Sequence, residues 1–189
     1  MNTMNFVERE RCAVTGRSDL VPLHRVPNVP IFMGCVNSPE GEDLTADMSW
    51  SISRGSGLIQ LSRLIPLDVL YPESHGSGGI GALWDKHHKT FARFLSRLSP
   101  SAVLEVGGAH GILAREYKGF ARIPWTILEP NPSPVEGCEA RFIKGFFDDQ
   151  FSYGEAFDTV VHSHVFEHIY EPDQFVRHTA EAGVALGGR

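Results

Sequence analysis

Short apolar runs and glycine-containing polar breaks alternate through the second half of the chain. Val103-Leu104-Glu105-Val106 stops at Gly107-Gly108-Ala109-His110-Gly111, which reads as a buried parallel strand turning sharply into a helix at its carboxyl end. Ile112 to Lys118 fits that helix, with Gly119 as its terminating residue. Ile123 to Glu129 predicts a second strand, Arg141 to Lys144 a short third and Phe157 to Ser163 a fourth. Pro172 suits the first position of a following helix, whose buried face is predicted at Phe175, Val176, Thr179 and Ala180. Strands alternating with helices imply right-handed crossovers and an α/β fold on a doubly wound parallel sheet.

Residues 1 to 80 differ. They are rich in Pro, Gly and Ser, with only brief apolar runs such as Leu58-Ile59-Gln60-Leu61, and predict a small irregular lobe. From Trp84 onward, Trp84, Phe91, Leu95 and Leu98 share one helical face until Ser99-Pro100 closes the element. That helix opens a second domain, predicted over 81–189. The sequence stops where the turn into a fifth strand would begin, so a fragment, or a sheet completed by something outside this chain, is expected.

Composition narrows the functions. In 189 residues, 17 basic against 23 acidic side chains give a net charge of −6, which argues against a phosphate-backbone footprint on nucleic acid. No basic start leads into an apolar segment, and no window approaches the roughly 18 apolar residues of a membrane span. A cytoplasmic protein is expected, with Cys12, Cys35 and Cys138 as reduced thiols. Nothing in the sequence fixes the oligomeric state.

The glycine turn carries the chemistry. Its spacing is E-x-G-x-x-x-G, unlike the G-x-G-x-x-G of dinucleotide binders, and no Lys-Ser/Thr pair of a phosphate-binding loop follows. A nucleotide-dependent oxidoreductase is therefore disfavoured. With Ala109 in the middle glycine position, the stretch resembles the first motif of class I S-adenosylmethionine-dependent methyltransferases, whose sheet is Rossmann-like. That resemblance implies S-adenosyl-L-methionine as cofactor and Glu105, Gly107, Gly108, Ala109 and Gly111 as residues that hold it. Missing side chains at Gly107 and Gly111 would let the ligand lie against the backbone. Glu129 closes the next strand, about 20 residues beyond the glycines, where one carboxylate can serve two ribose hydroxyls.

Two later segments extend the resemblance. After the third strand, Lys144-Gly145-Phe146-Phe147-Asp148 stands where related enzymes place an apolar side chain on the adenine face and an acid on its amino group, which implies Phe147 and Asp148. The fourth strand ends in His162-Ser163-His164-Val165-Phe166-Glu167-His168-Ile169, similar to the fourth motif with its Glu-His-Ile ending. His168, then His164, then His162 are the candidates for a base that takes a proton during transfer, and His162 also falls among the residues expected at the cofactor. The alternative is that Glu167 and His168 pin the loop by hydrogen bonds. Metal binding by these histidines is disfavoured, because they run from a strand into a loop, so that His164 and His168, although four apart, are not set on one helix face as in H-E-x-x-H.

The lobe resembles the zinc-binding domain of sugar C-methyltransferases. Cys12-Ala13-Val14-Thr15-Gly16 and Ser53-Arg54-Gly55-Ser56-Gly57-Leu58-Ile59-Gln60 match its two C-x-x-C-G knuckles, the second running on as G-L-x-Q. Thr15, Ser53 and Ser56 stand where thiolates are expected, so no metal is expected here. In that family a segment corresponding to residues 70–79 folds over cofactor and substrate, which implies Tyr71, His75 and Ser77, against the plain alternative of a flexible linker. His87-His88 reads as a surface pair, since neighbouring helical positions diverge. These features together predict methyl transfer to a small molecule, the lobe pointing to a nucleotide-linked sugar carbon. The rival is a non-catalytic cofactor-binding or regulatory paralogue.

Overall fold

The computed structural model describes residues 5–31, 43–71, 81–148, 150–152 and 157–185. The chain divides into two compact units, Met1–Pro72 with Tyr170–Asp173, and Glu73–Ile169 with Gln174–Arg189. The boundary falls several residues before the position the sequence predicts.

The first unit is more regular than its composition suggests. β1 (Val7–Glu8) pairs with β5 (Arg63–Leu64), while β2 (Leu20–Pro30), β3 (Thr45–Ser53) and β4 (Ile59–Leu61) form an antiparallel sheet in that order. A one-turn helix, α1 (Leu67–Leu70), follows. The prolines at 22, 27 and 30 hide β2 from sequence reading, because proline cannot donate to a ladder. It is tolerated because β2 is an outer strand paired with β3, with register shifts between Pro22 and His24 and between Val26 and Val29. Most β2 side chains are exposed, so no apolar alternation marks it.

Two equivalent turns build the centre of this lobe. Gly16 N donates to Cys12 O at 2.8 Å and Cys12 N to Arg17 O at 2.9 Å, while Gly57 N donates to Ser53 O and Ser53 N to Leu58 O, both at 2.9 Å. Gly16 and Gly57 take φ of 68° and 74°, the left-handed region where a Cβ is penalised. Gln60 ties the halves together, accepting from Ala13 N and donating to Arg11 O, each at 2.9 Å. Cys12 and Ser53 are buried, and Cys12 Sγ lies 3.3 Å from Ser56 Oγ. Burial pushes the Cys12 thiol up, but hydrogen bonds from Ser56, Thr15 and the Val14 backbone outweigh it and hold the thiol at about 6. Among the described residues no cluster of three or more His, Cys, Asp or Glu could hold a metal ion. Elemental analysis of the purified protein should find well below one zinc per chain, since hydroxyls at 15, 53 and 56 are poor substitutes for thiolates; stoichiometric zinc would contradict this reading of the lobe.

The second unit opens with α2 (Ala82–Ser96) and continues through the strands and helices the sequence predicts. β6 (Val103–Val106), β7 (Trp125–Glu129), β8 (Arg141–Lys144) and β9 (Thr159–His162) form a parallel sheet in the order β8-β7-β6-β9. α3 (Ile112–Tyr117) follows β6, and α4 (Pro172–Ala185) follows β9. All four β6 residues are buried, as expected of a central parallel strand covered on both faces. Val103, Trp125, Ile127 and Val161 pack with Ala92, Leu95, Leu113 and Tyr117 from α2 and α3. Leu104, Val106 and Leu128 face Phe157 and Phe175 on the other side.

Three predicted core positions are corrected, Ala180 being exposed on the outer side of α4. Leu98 and Val176 are exposed at 59% and 54%: Leu98 lies beyond the end of α2, and α4 turns Phe175 and Thr179 inward instead. Asp158 clamps the start of the sheet, accepting from Ser101 N at 2.8 Å, Ser101 Oγ at 2.6 Å and Ala102 N at 3.3 Å. Among the described residues no helix is long and apolar enough to cross a membrane.

Candidate functional site

Strand order fixes where a ligand can enter. From β6 the sheet proceeds to β7 and β8 in one direction, while β9 adds to the other side of β6. Connections therefore leave β6 and β9 towards opposite sides, and the crevice at the carboxyl ends of such diverging strands is the usual binding place in open α/β sheets. Val106 is in register with His162, so Gly107 and Ser163 are the first residues beyond the two strands at that crevice.

The glycine turn is held on every side. Gly107 N donates to Leu128 O at 2.8 Å, and Gly111 N to Gly108 O at 2.7 Å. Ser133 N and Val135 N donate to the carbonyls of Ala109 and His110 at 3.1 and 2.9 Å, and His110 Nδ1 lies 2.9 Å from Ser133 O. Gly107, Ala109 and Gly111 have φ of 70°, 40° and 70°, so the turn needs the left-handed region three times in five residues. The sequence expectation that absent side chains at Gly107 and Gly111 make room for a ligand is corrected, because protein atoms fill that space at both positions and likewise at Gly108. A Cβ on Gly111 would meet Cys138 Sγ at 2.4 Å and Phe142 Cζ at 3.0 Å, and one on Gly108 would meet Glu105 Cδ at 2.7 Å and Ile127 Cγ2 at 2.8 Å. There glycine serves the packing of turn and helix on the sheet. A Cβ on Gly107 would meet Val165 Cγ2 at 2.4 Å, so the neighbour of Gly107 is the loop after β9.

The two acids lie on one face of the sheet and divide their roles by how far each stands from the strand end. Glu129, the last residue of β7, is half-buried; its Oε2 accepts from Ala109 N at 3.1 Å and its Oε1 from Asn131 N at 3.0 Å. Each oxygen keeps a lone pair for a further donor. Glu105 shares the face of Val103 and points beneath the turn, where it is buried and its Oε2 accepts from the Trp125 indole at 2.8 Å. Burial pushes the Glu105 carboxyl up to about 8 and the nearby Glu129 charge adds to this, against the lowering effect of the Trp125 bond. At neutral pH Glu105 is largely a neutral acid that supports the turn from below.

The loop after β9 carries the histidines. His162 is exposed and stacks on Phe166 with centroids 6.2 Å apart. His164 sits at φ 55°, 3.5 Å from Glu167 Oε1 and with its ring 4.8 Å from that of Trp84. His168 is exposed at the end of a 3₁₀ turn, Phe166–His168, where its backbone N donates to Val165 O at 2.9 Å. The expectation of a surface pair at His87-His88 is corrected at His87. Its Nε2 lies 2.9 Å from Ser163 Oγ, and its ring is 5.6 Å from that of His164. Both imidazoles are half-buried beside Trp84, and His87 is the one that reaches the loop after β9. Trp84 and His87 were the legible signal, three residues apart on one helical face.

After β8 the structure redistributes the expected contacts. Phe147 packs 5.0 Å from Phe175 and 4.7 Å from His178 between sheet and α4, so its ring belongs to the core, whereas Phe146 is the exposed ring of the pair, at 41%. Asp148 is exposed and its Oδ1 accepts from Gln150 N at 3.0 Å. Tyr71 belongs to the first unit, while Cys35, His75 and Ser77 lie outside the described residues.

A family model described as a methyltransferase domain matches residues 83–183, and the chain belongs to that family. Its parallel sheet is Rossmann-like, as in class I S-adenosylmethionine-dependent methyltransferases. Among solved structures it is similar to the plantazolicin methyltransferase BpumL in complex with a monoazolic desmethylPZN analog and SAH, at 15% identity and a TM-score of 0.42. That match covers 51% of this chain and 41% of the other, so this chain spans well under two thirds of that relative's length. No curated protein matches it.

Proposed function

We infer that this chain binds S-adenosylmethionine at the carboxyl ends of β6, β7 and β9 and directs its methyl group to a small molecule. The observation that carries the reading is Glu129, whose carboxylate lies against Ala109 N of the glycine turn at the crevice where the strands diverge. Its remaining acceptor capacity suits a vicinal diol. The cofactor supplies an electrophilic methyl on a sulfonium, whose bonding pair stays on sulfur after transfer. Glu129 would hold the ribose hydroxyls, the amides and carbonyls of residues 107–111 would fix the turn, and Glu105 would support it from beneath. Phe146 and Asp148 are available to the adenine, Phe147 acting behind them. A base at the carboxyl end of β9 would accept the acceptor's proton, and catalysis would come mainly from positioning.

The narrower reading, a nucleotide-linked sugar carbon as acceptor, is supported by the two matched turns of the lobe and by Gln60 bridging them. Calorimetric titration tests the cofactor assignment. Wild-type protein should bind S-adenosylmethionine and its demethylated product, and Glu129→Ala should weaken both by roughly 10- to 150-fold, as expected for a charged acceptor worth about 1.5–3 kcal/mol. Unchanged affinity in Glu129→Ala would remove the ribose assignment, and absence of binding by wild type would remove the function.

A further inference from the structure

We propose that His87 and Ser163 form the proton-accepting pair of the transfer reaction, with Trp84 and His164 walling the acceptor's place beside them. This rests on the cofactor assignment above and adds to it a residue from α2, outside the glycine and strand-end motifs. Ser163 follows β9 directly, next to Gly107 across the parallel register, so its hydroxyl stands at the crevice. His87 Nε2 lies 2.9 Å from that hydroxyl. The His87 ring is 5.6 Å from those of both Trp84 and His164, and Trp84 stacks on His88 with centroids 6.0 Å apart. One indole and two further imidazoles from two elements thus cluster around the ring that meets this serine. His164 is held there in a left-handed backbone conformation, a strain that proteins keep where a side chain must be aimed.

The pairing gives a balanced step. As an electron pair of the acceptor, a heteroatom lone pair or the C–H pair of a carbon, bonds to the methyl carbon and the sulfur–carbon pair returns to sulfur, Ser163 Oγ takes the acceptor's proton and passes its own to His87 Nε2. His87 must begin neutral, with its proton on Nδ1. Burial and the neighbouring His88 and His164 hold its titration below the usual range for histidine, which keeps it neutral at pH 7. Glu167 on the β9 loop faces His164, and the Asp85–Lys89 ion pair on the same helix lies two positions to either side of His87, turned away from it. Ser163 is the catalytic residue of the pair, and His87 acts through it.

The test needs no acceptor. Imidazole nitrogen shifts of all nine histidines are followed by NMR against pH in free protein, with saturating S-adenosylmethionine, and with saturating S-adenosylhomocysteine. His87 is assigned with His87→Gln and independently by its altered shift in Ser163→Ala. If the pair faces the reacting centre, the sulfonium's positive charge lowers the His87 titration midpoint by at least about half a unit, while the uncharged thioether leaves it nearly in place, and His87 shows the Nδ1–H tautomer in both complexes. An equal response to both ligands, or a sulfonium-specific shift at His168 instead, would overturn the proposal while leaving the cofactor assignment intact. If neither ligand binds in the calorimeter, the cofactor assignment itself fails.

Discussion

Gly107→Ala should lose several kcal/mol of stability, and most of the steric part of that loss should return in the Val165→Ala background. Two separate costs act at this position. A left-handed φ of 70° costs an L-residue roughly 1–2 kcal/mol, and the new Cβ would stand 2.4 Å from Val165 Cγ2, an overpacking worth about 1–3 kcal/mol. Together they approach a large fraction of the roughly 5–15 kcal/mol that holds a domain folded. Val165→Ala removes the steric cost and leaves the backbone one. Urea unfolding of the two single variants and the double variant measures the coupling directly. If Gly107→Ala costs the same with and without Val165, the loop after β9 does not pack on the turn. The same geometry means that a bulky residue at 107 weakens ligand binding partly by unfolding the site, which is why Glu129→Ala is the cleaner probe of the cofactor.

Glu105 should govern how stability responds to alkali. Its carboxyl is pushed from an ordinary value of 4.5 to about 8 in the fold, so the folded state keeps the proton to higher pH than the unfolded chain does. Stability from this group is therefore complete below about pH 4.5 and is lost progressively as pH rises towards 8, by an amount on the order of several kcal/mol. Glu105→Gln keeps an oxygen for the Trp125 indole but cannot ionise. Its urea midpoint should match or fall below wild type at pH 5 and exceed it at pH 8, with a flatter profile between. Glu105→Ala should be destabilised throughout by about 2–5 kcal/mol, because it leaves a cavity and an unpaired buried indole N–H. Parallel pH profiles for wild type and Glu105→Gln would show that the buried carboxyl is ionised and paired in some other way.

The strands of the second unit were legible because buried parallel strands are short continuous apolar runs. Glycine and proline punctuate them, and β6, β8 and α4 begin where those signals place them. β2 was illegible for the opposite reason, being a proline-containing outer strand with exposed side chains and two irregularities in its pairing. Within the candidate site, Glu129 could be read because an acid at a strand end after a glycine turn is a local pattern. Glu105 could not be placed fully, since a strand buried on both faces does not say that one of its side chains turns beneath the turn rather than towards a ligand. Phe147, expected on the adenine face, packs on α4 while Phe146 stays exposed, because which ring of an adjacent pair enters the core is decided by α4, far along the chain. His87 depends on the same kind of long-range fact: only the fold sets a residue of α2 beside Ser163, 76 positions later.

The central claim is that the crevice beside Gly107 and Ser163 holds the cofactor. Backbone amide shifts of the wild-type protein, titrated with S-adenosylhomocysteine, test it most directly. Saturable shifts concentrated at residues 107–111, at Asn131 and at Ser163 are the expected result. Shifts confined instead to the cleft beside the start of β7, lined by Tyr117, Lys118, Trp125 and Glu139, or no saturable shifts at all, would contradict it.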